Sequence, residues 1–364
     1  MGNVALMLVI QAIVGFSPEG PPAIGKTDDK ASTAELRRTI PLDDVRGAVD
    51  RSGIAGRIDH MRYDPETKRL FIACVANGSL EVIDLEKGSR AGSISGLAGP
   101  QGVAVAGGWV YVATGDDGKL HRFHTRTLAA DKSVAVGDDA DNVRVAGDGK
   151  VWVSFGGTGP GGLACFDADS LTLEKKFSLP RMPEGFQIHE SGKALFANMP
   201  AGKRSKEDGT VVGLKVPGGD FLWERKLIGH AGNFPMALDS ANDRVFVISR
   251  GPARLICLNA RDGSILGETT CPPESDDLFF DPRSGLVAVI GGGSQPSEND
   301  PGGVGASLDL FTIDGSGKPS KLGGTPLPPQ SRTGALAVDR RTIYVGVPMA
   351  KDRPAEIREY RLPK

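Results

Sequence analysis

Residues 56–84 read GRIDHMRYDPETKRLFIACVANGSLEVID. Ile58–Tyr63 forms a short strand, and Asp64–Lys68 (DPETK) gathers the residue types that tolerate tight turns. Leu70–Cys74 is wholly apolar, and Asn77-Gly78 supplies a hairpin turn after it. Leu80–Asp84 alternates as a third strand, and the glycine-bounded AGSIS at Ala91–Ser95 completes a unit of four.

The opening strand of this unit recurs as QGVAVAG from Gln101, DNVRVAG from Asp141, GFQIHES from Gly185, FPMALDS from Phe234, DLFFDPR from Asp277 and TGALAVD from Thr333. With His60, Gly102, Asn142, Phe186, Pro235, Asp277 and Ala335 as equivalent anchors, the steps are 42, 40, 44, 49, 42 and 58 residues. Four short strands repeated every 40 to 50 residues or so are the signature of a β-propeller. Each anchor is followed by a continuously apolar strand (LFIAC, WVYVA, VWVSF, ALFAN, VFVIS, VAVIG, IYVGV), which suits a middle strand covered on both faces by its neighbours. The two long steps hold KRSKEDG from Lys203 and GGGSQPSENDPGGVGAS from Gly291, insertions between second and third strands. The last copy ends without a fourth strand. RRTIPL at Arg37–Leu42 resembles the fourth strands elsewhere and is expected to pair with Glu356–Arg361, because an open ring leaves two bare edges. The expected fold is therefore all-β: a single seven-bladed propeller of four-stranded antiparallel blades, closed by the N-terminal strand.

The repeat occupies residues 36–364 as one domain. Ahead of it, Val4–Phe16 is apolar apart from Gln11, short for a membrane span and of the length of a secretory core, so residues 1–17 are read as a signal peptide and 18–35 as a flexible linker. Lysine and arginine number 43 against 45 acidic residues, which leaves no electrostatic footprint for nucleic acid or an anionic membrane. The four cysteines show no CxxC and no metal-site spacing with histidine, and are expected as free thiols.

A propeller brings the starts of its innermost strands together around one end of a central channel. Those positions are polar in this chain: Arg57 and His60, Gln101, Asp141 and Asn142, Glu184 and Gln187, Asn233, Asp277, and Arg332. Six of the seven copies contribute a carboxylate, carboxamide or imidazole from the same place. Two chemistries fit. Asn142, Glu184, Asn233 and Asp277 offer hard oxygen donors for a divalent cation such as calcium or magnesium, with His60 as a base for water attack on an ester or lactone. Alternatively, the mixed ring with Arg57 and Arg332 suits an anionic small molecule or a peptide carboxylate held without turnover. No GxSxG, HExxH, P-loop or GxGxxG in strand–helix context is present.

The units GRIDHMRYDPETKRLFIACVANGSLEVIDLEKG, NFPMALDSANDRVFV and DDLFFDPRSGLVAVIGG resemble those of the bacterial YVTN-repeat, YncE-like propellers, over residues 36–363. No second strand carries a literal YVTN, and the recurring Trp-Asp and Gly-His pairs of WD40 repeats are missing. The resemblance implies a periplasmic or secreted propeller that binds something at its channel mouth, and it transfers no catalytic residue. The leading expectation is a monomeric binding scaffold for a small molecule or protein. The alternative is a metal-dependent hydrolase or lyase of the lactonase-like propeller kind.

Overall fold

A computed structural model describes residues 32–45, 56–157, 160–201, 206–294, 303–351 and 353–364. The signal-peptide reading of residues 1–17, most of the 18–35 linker, and parts of both insertions (203–205 and 295–302) lie outside these residues. Twenty-seven strands and a single 3₁₀ turn at Val338–Arg340 account for the regular structure, with no α-helix among the described residues.

Each unit meanders as its sequence pattern implies. The first sheet runs Ile58–Asp64, Arg69–Cys74, Ser79–Asp84, Ser89–Ser95 in consecutive antiparallel order. Its second strand shows why a continuous apolar run was needed. Leu70, Ile72 and Cys74 pack with Tyr344 and Ile357 of the last sheet, whereas Phe71 and Ala73 pack with Val110 and Val112 of the next. Successive side chains point to opposite faces, so a strand sandwiched between two sheets must be apolar at every position. Fully burying one such Leu, Ile or Phe is worth roughly 1.5–3 kcal/mol.

The last sheet, Thr333–Ala337, Thr342–Val347 and Glu356–Arg361, takes its fourth strand from the other end of the chain, Glu35–Pro41. Arg38 adds a two-pronged ion pair to Glu359 (3.0 and 2.7 Å) and donates to the Leu85 carbonyl at 2.8 Å, tying the closure to the first sheet. Ile40 and Leu42 beside it are buried.

The blade count requires a correction. Five blades are four-stranded, not seven. The fourth and fifth repeat copies do not separate: Phe186–Ile188, Ala194–Met199, Asp208–Lys215, Phe221–Asp239, Arg244–Gly251, Ala253–Asn259 and Ile265–Thr270 form one seven-stranded sheet. The cause is Phe221–Asp239, a continuous 19-residue strand. Its Ala231 pairs with Asp208 on one side and with Gly251 on the other. The stretch LIGHAGN across the junction lacks proline and turn-forming aspartate, so nothing ends the strand. Gly229 and Gly232 instead take positive φ (78° and 65°), and register shifts at Asp208/Thr210 and Asn233/Met236 bend the strand while it keeps pairing. His230 sits within this strand against Ser249 and Glu268, each at 3.2 Å.

The four cysteines are free. Cys74, Cys165 and Cys257 are buried and Cys271 is half-buried, and burial pushes each thiol up, the last three to about 12.

Candidate functional site

The innermost strands begin at one end of a cavity of about 230 Å³ in the middle of the ring. His60, Asn142 and Asp277 line the cavity, as do Arg62, Arg144 and Phe279, each two residues further along the chain. Glu184 and Gln187 line it from the seven-stranded sheet.

Much of the polar ring also joins sheet to sheet. Asp277 bridges three of them: its Oδ1 lies 3.1 Å from His60 Nδ1, and its Oδ2 accepts the Gly334 amide N–H at 2.8 Å. Gln101 Nε2 donates to Asp139 Oδ1 (3.1 Å) just ahead of the next sheet, and Thr333 Oγ1 to the Ile58 carbonyl (3.2 Å); within the seven-stranded sheet, Gln187 Nε2 donates to the Met236 carbonyl (2.7 Å). Middle strands pack mainly through apolar side chains, whereas the inner ends are also pinned by hydrogen bonds.

Two charge clusters result. In the first, Arg57 donates to Asp59 Oδ2 at 2.7 Å, and Asp59 in turn lies 3.9 Å from His60 Nε2. Burial works against a charged His60, but Asp277, Asp59 and Asp141 outweigh it and raise the imidazole to about 10. His60 is thus held toward its protonated form by Asp277, while burial pushes the Asp277 carboxyl up against the pull of His60 and the Gly334 N–H. In the second cluster, Asp276 is held between Arg250 and Arg332, the latter at 2.7 Å. Burial opposes its ionisation, and Arg250, Arg332 and Arg57 overcome that and hold the carboxyl well below the usual range. Arg250 also lies 4.1 Å over the Phe234 ring.

Of the residues singled out in the sequence, His60, Asn142, Glu184, Gln187 and Asp277 line the cavity. Arg57 and Arg332 are anchored to Asp59 and Asp276, Gln101 is a cross-sheet pin, and Asp141 is buried beside the cavity, where its charge acts on His60. Asn233 stands apart from the proposed oxygen-ligand set. It is fully buried, donating to the Thr210 carbonyl at 2.9 Å and to Asn198 Oδ1 at 3.2 Å. Of the four, Asn142, Glu184 and Asp277 line the cavity, with Asp277 engaged by His60 and Gly334. Among the described residues, no three His, Cys, Asp or Glu side chains group as a metal site.

Three functional-site residues escaped the sequence reading. Arg62 and Arg144 were signalled by alternation, each two residues beyond a ring position. Arg250 had a weaker signal: it lies near the end of a second strand, Arg244–Gly251, which antiparallel pairing returns to the mouth.

No family model matches this chain, and no curated protein does. Solved structures do. The chain is similar to one in the crystal structure of the Mitotic Checkpoint Complex (TM-score 0.69, 12% identity, over 99% of this chain and 100% of that one). It is similar also to the β-propeller domain of Myceliophteria thermophila Cps50 (Swd1) (0.66, 11%, 90% and 99%) and to a chain of Kuenenia stuttgartiensis hydrazine synthase (0.62, 13%, 84% and 99%). At these identities the likeness is one of fold. No helix among the described residues is long and apolar enough to cross a membrane.

Proposed function

We propose that the protein is an exported, monomeric propeller of the YVTN-repeat, YncE-like kind that works by binding, with the polar mouth of its channel as the ligand- or partner-binding face. The observation that carries this reading is the cavity itself: about 230 Å³, lined by charged and polar groups that hydrogen bonds already hold in place. Side chains fixed on rigid strands lose little freedom when a ligand arrives, which favours recognition. The neighbours named for a checkpoint complex and for hydrazine synthase leave the fold open to either use. Binding is preferred over turnover here because His60 and Asp277 are engaged with each other and with Gly334.

A cavity-filling substitution tests the reading. Val105 lines the cavity and is only partly buried, so Val105→Trp plugs the channel from an existing inner strand. In a thermal-shift screen of small polar metabolites, a ligand near 100 times its Kd stabilises by about 2.7 kcal/mol, or several degrees in Tm. The expected result is at least one compound that stabilises the parent and leaves Val105→Trp unmoved; equal shifts in both, or none in either, would sink the channel as the binding site. Export is tested by fusing residues 1–40 to a compartment reporter, with periplasmic or secreted signal expected and cytoplasmic retention counting against it.

A further inference from the structure

Five arginines stand in and around the mouth, and their surroundings differ. Arg57, Arg250 and Arg332 are each paired with an aspartate. Arg62 and Arg144, both lining the cavity, have no carboxylate within salt-bridge distance among the described residues. Arg144 is half-buried, donates to the carbonyl of Val143 at 2.8 Å and lies 5.5 Å over the Phe186 ring. Burial and the positive charge of Arg62 lower it to about 10, against the opposing pull of Asp277 and Asp141. Arg62 is exposed in the cavity lining, and with no carboxylate in contact both guanidinium forks keep N–H donors open to an anion. The two guanidiniums line the same cavity, and the charge of Arg62 bears on Arg144. Val105, Gln187, Met236 and Phe279, uncharged and mostly apolar, line it as well.

Resting on the channel-binding reading above, we infer that Arg62 and Arg144 receive the carboxylate or phosphoryl group of a small organic anion, whose body lies against Val105, Met236 and Phe279. Planar guanidinium forks match both head groups. The cavity falls below the roughly 300–1,000 Å³ of drug-sized sites, which sets the ligand at metabolite size.

The test is calorimetric titration of the full chain with acetate, succinate, inorganic phosphate and glycerol 3-phosphate, beside the neutral succinamide and glycerol. At least one anion is expected to bind, its neutral counterpart not to, and its affinity to fall at least about tenfold in Arg62→Gln and in Arg144→Gln, the loss of one charge-assisted bond. Carboxylates binding alone identify the head group as carboxylate, and phosphates alone as phosphoryl. No binding by any of the four anions, or binding unchanged in both variants, overturns the assignment. A neutral compound that stabilises the parent but not Val105→Trp would keep the channel as the binding site while removing the anion from it.

Discussion

Replacing Asp277 by alanine is expected to lower the unfolding free energy by about 3 kcal/mol, read from urea midpoints. Removing one partner of a buried pair costs roughly 3–5 kcal/mol. The lower end applies because the His60 and Asp277 side chains retain 18% and 13% exposure. The loss has two parts, since the substitution leaves His60 without its nearest counter-charge and the buried Gly334 N–H without its acceptor. The same pair sets a pH dependence. His60 is raised in the folded protein from 6.5 to about 10, so its stabilisation is complete below about pH 6.5 and drains away as the pH climbs through 10. Parent stability therefore falls across that window more steeply than that of His60→Gln. Parallel curves for the two, or an Asp277→Ala loss below about 1 kcal/mol, would show that the pair does not hold the mouth together.

Deleting the chain through Leu42 is expected to abolish the closed ring. Glu356–Arg361 would lose six paired residues along its outer edge, and Ile40 and Leu42 would leave the core. The two side chains alone account for about 3–6 kcal/mol of burial. Set against a total stability of roughly 5–15 kcal/mol, the further loss of backbone pairing leaves little margin. Circular dichroism and size-exclusion chromatography should find a collapsed, associating species, since the bared edge and apolar strip can pair with another chain. A monomer with a Tm close to that of the parent would show that the N-terminal strand is dispensable.

The repeat was legible because it is enforced everywhere at once. A middle strand between two sheets must be apolar at every residue, and LFIAC, VFVIS and VAVIG say so without ambiguity. The closing strand was legible for a complementary reason, since RRTIPL had no other partner. The number of separate blades was not. It depended on whether LIGHAGN breaks, and glycines with positive φ serve a bend as readily as a turn. In the candidate site, sequence position gave the placement of His60, Asn142 and Asp277 but not the pairings. Whether an aspartate at a strand start faces a ligand or a neighbouring sheet depends on distances between strands far apart in the chain. Asn233 and Gln101 went to cross-strand and cross-sheet bonds for that reason. Arg62 and Arg144 follow two residues beyond His60 and Asn142, but an arginine inside a strand reads equally well as a solvated side chain, so its type alone does not mark it as part of a cavity.

The 19-residue strand shared by two repeat copies makes the ring unequal around its circumference. At the other junctions, neighbouring sheets are joined by a loop and by side chains, and a small rotation there need not break a strand. Between the Ala194–Met199 and Arg244–Gly251 regions, one backbone is hydrogen-bonded on both edges at Ala231, so that junction is stitched. The Glu35–Pro41 strand, by contrast, is a clasp, bringing together the two ends of the propeller through strand pairing, the Arg38–Glu359 ion pair and the burial of Ile40 and Leu42. A band with one stitched seam and one clasp is expected to part first at the clasp, so that any widening of the channel begins beside His60 and Gly334 before it reaches Gln187.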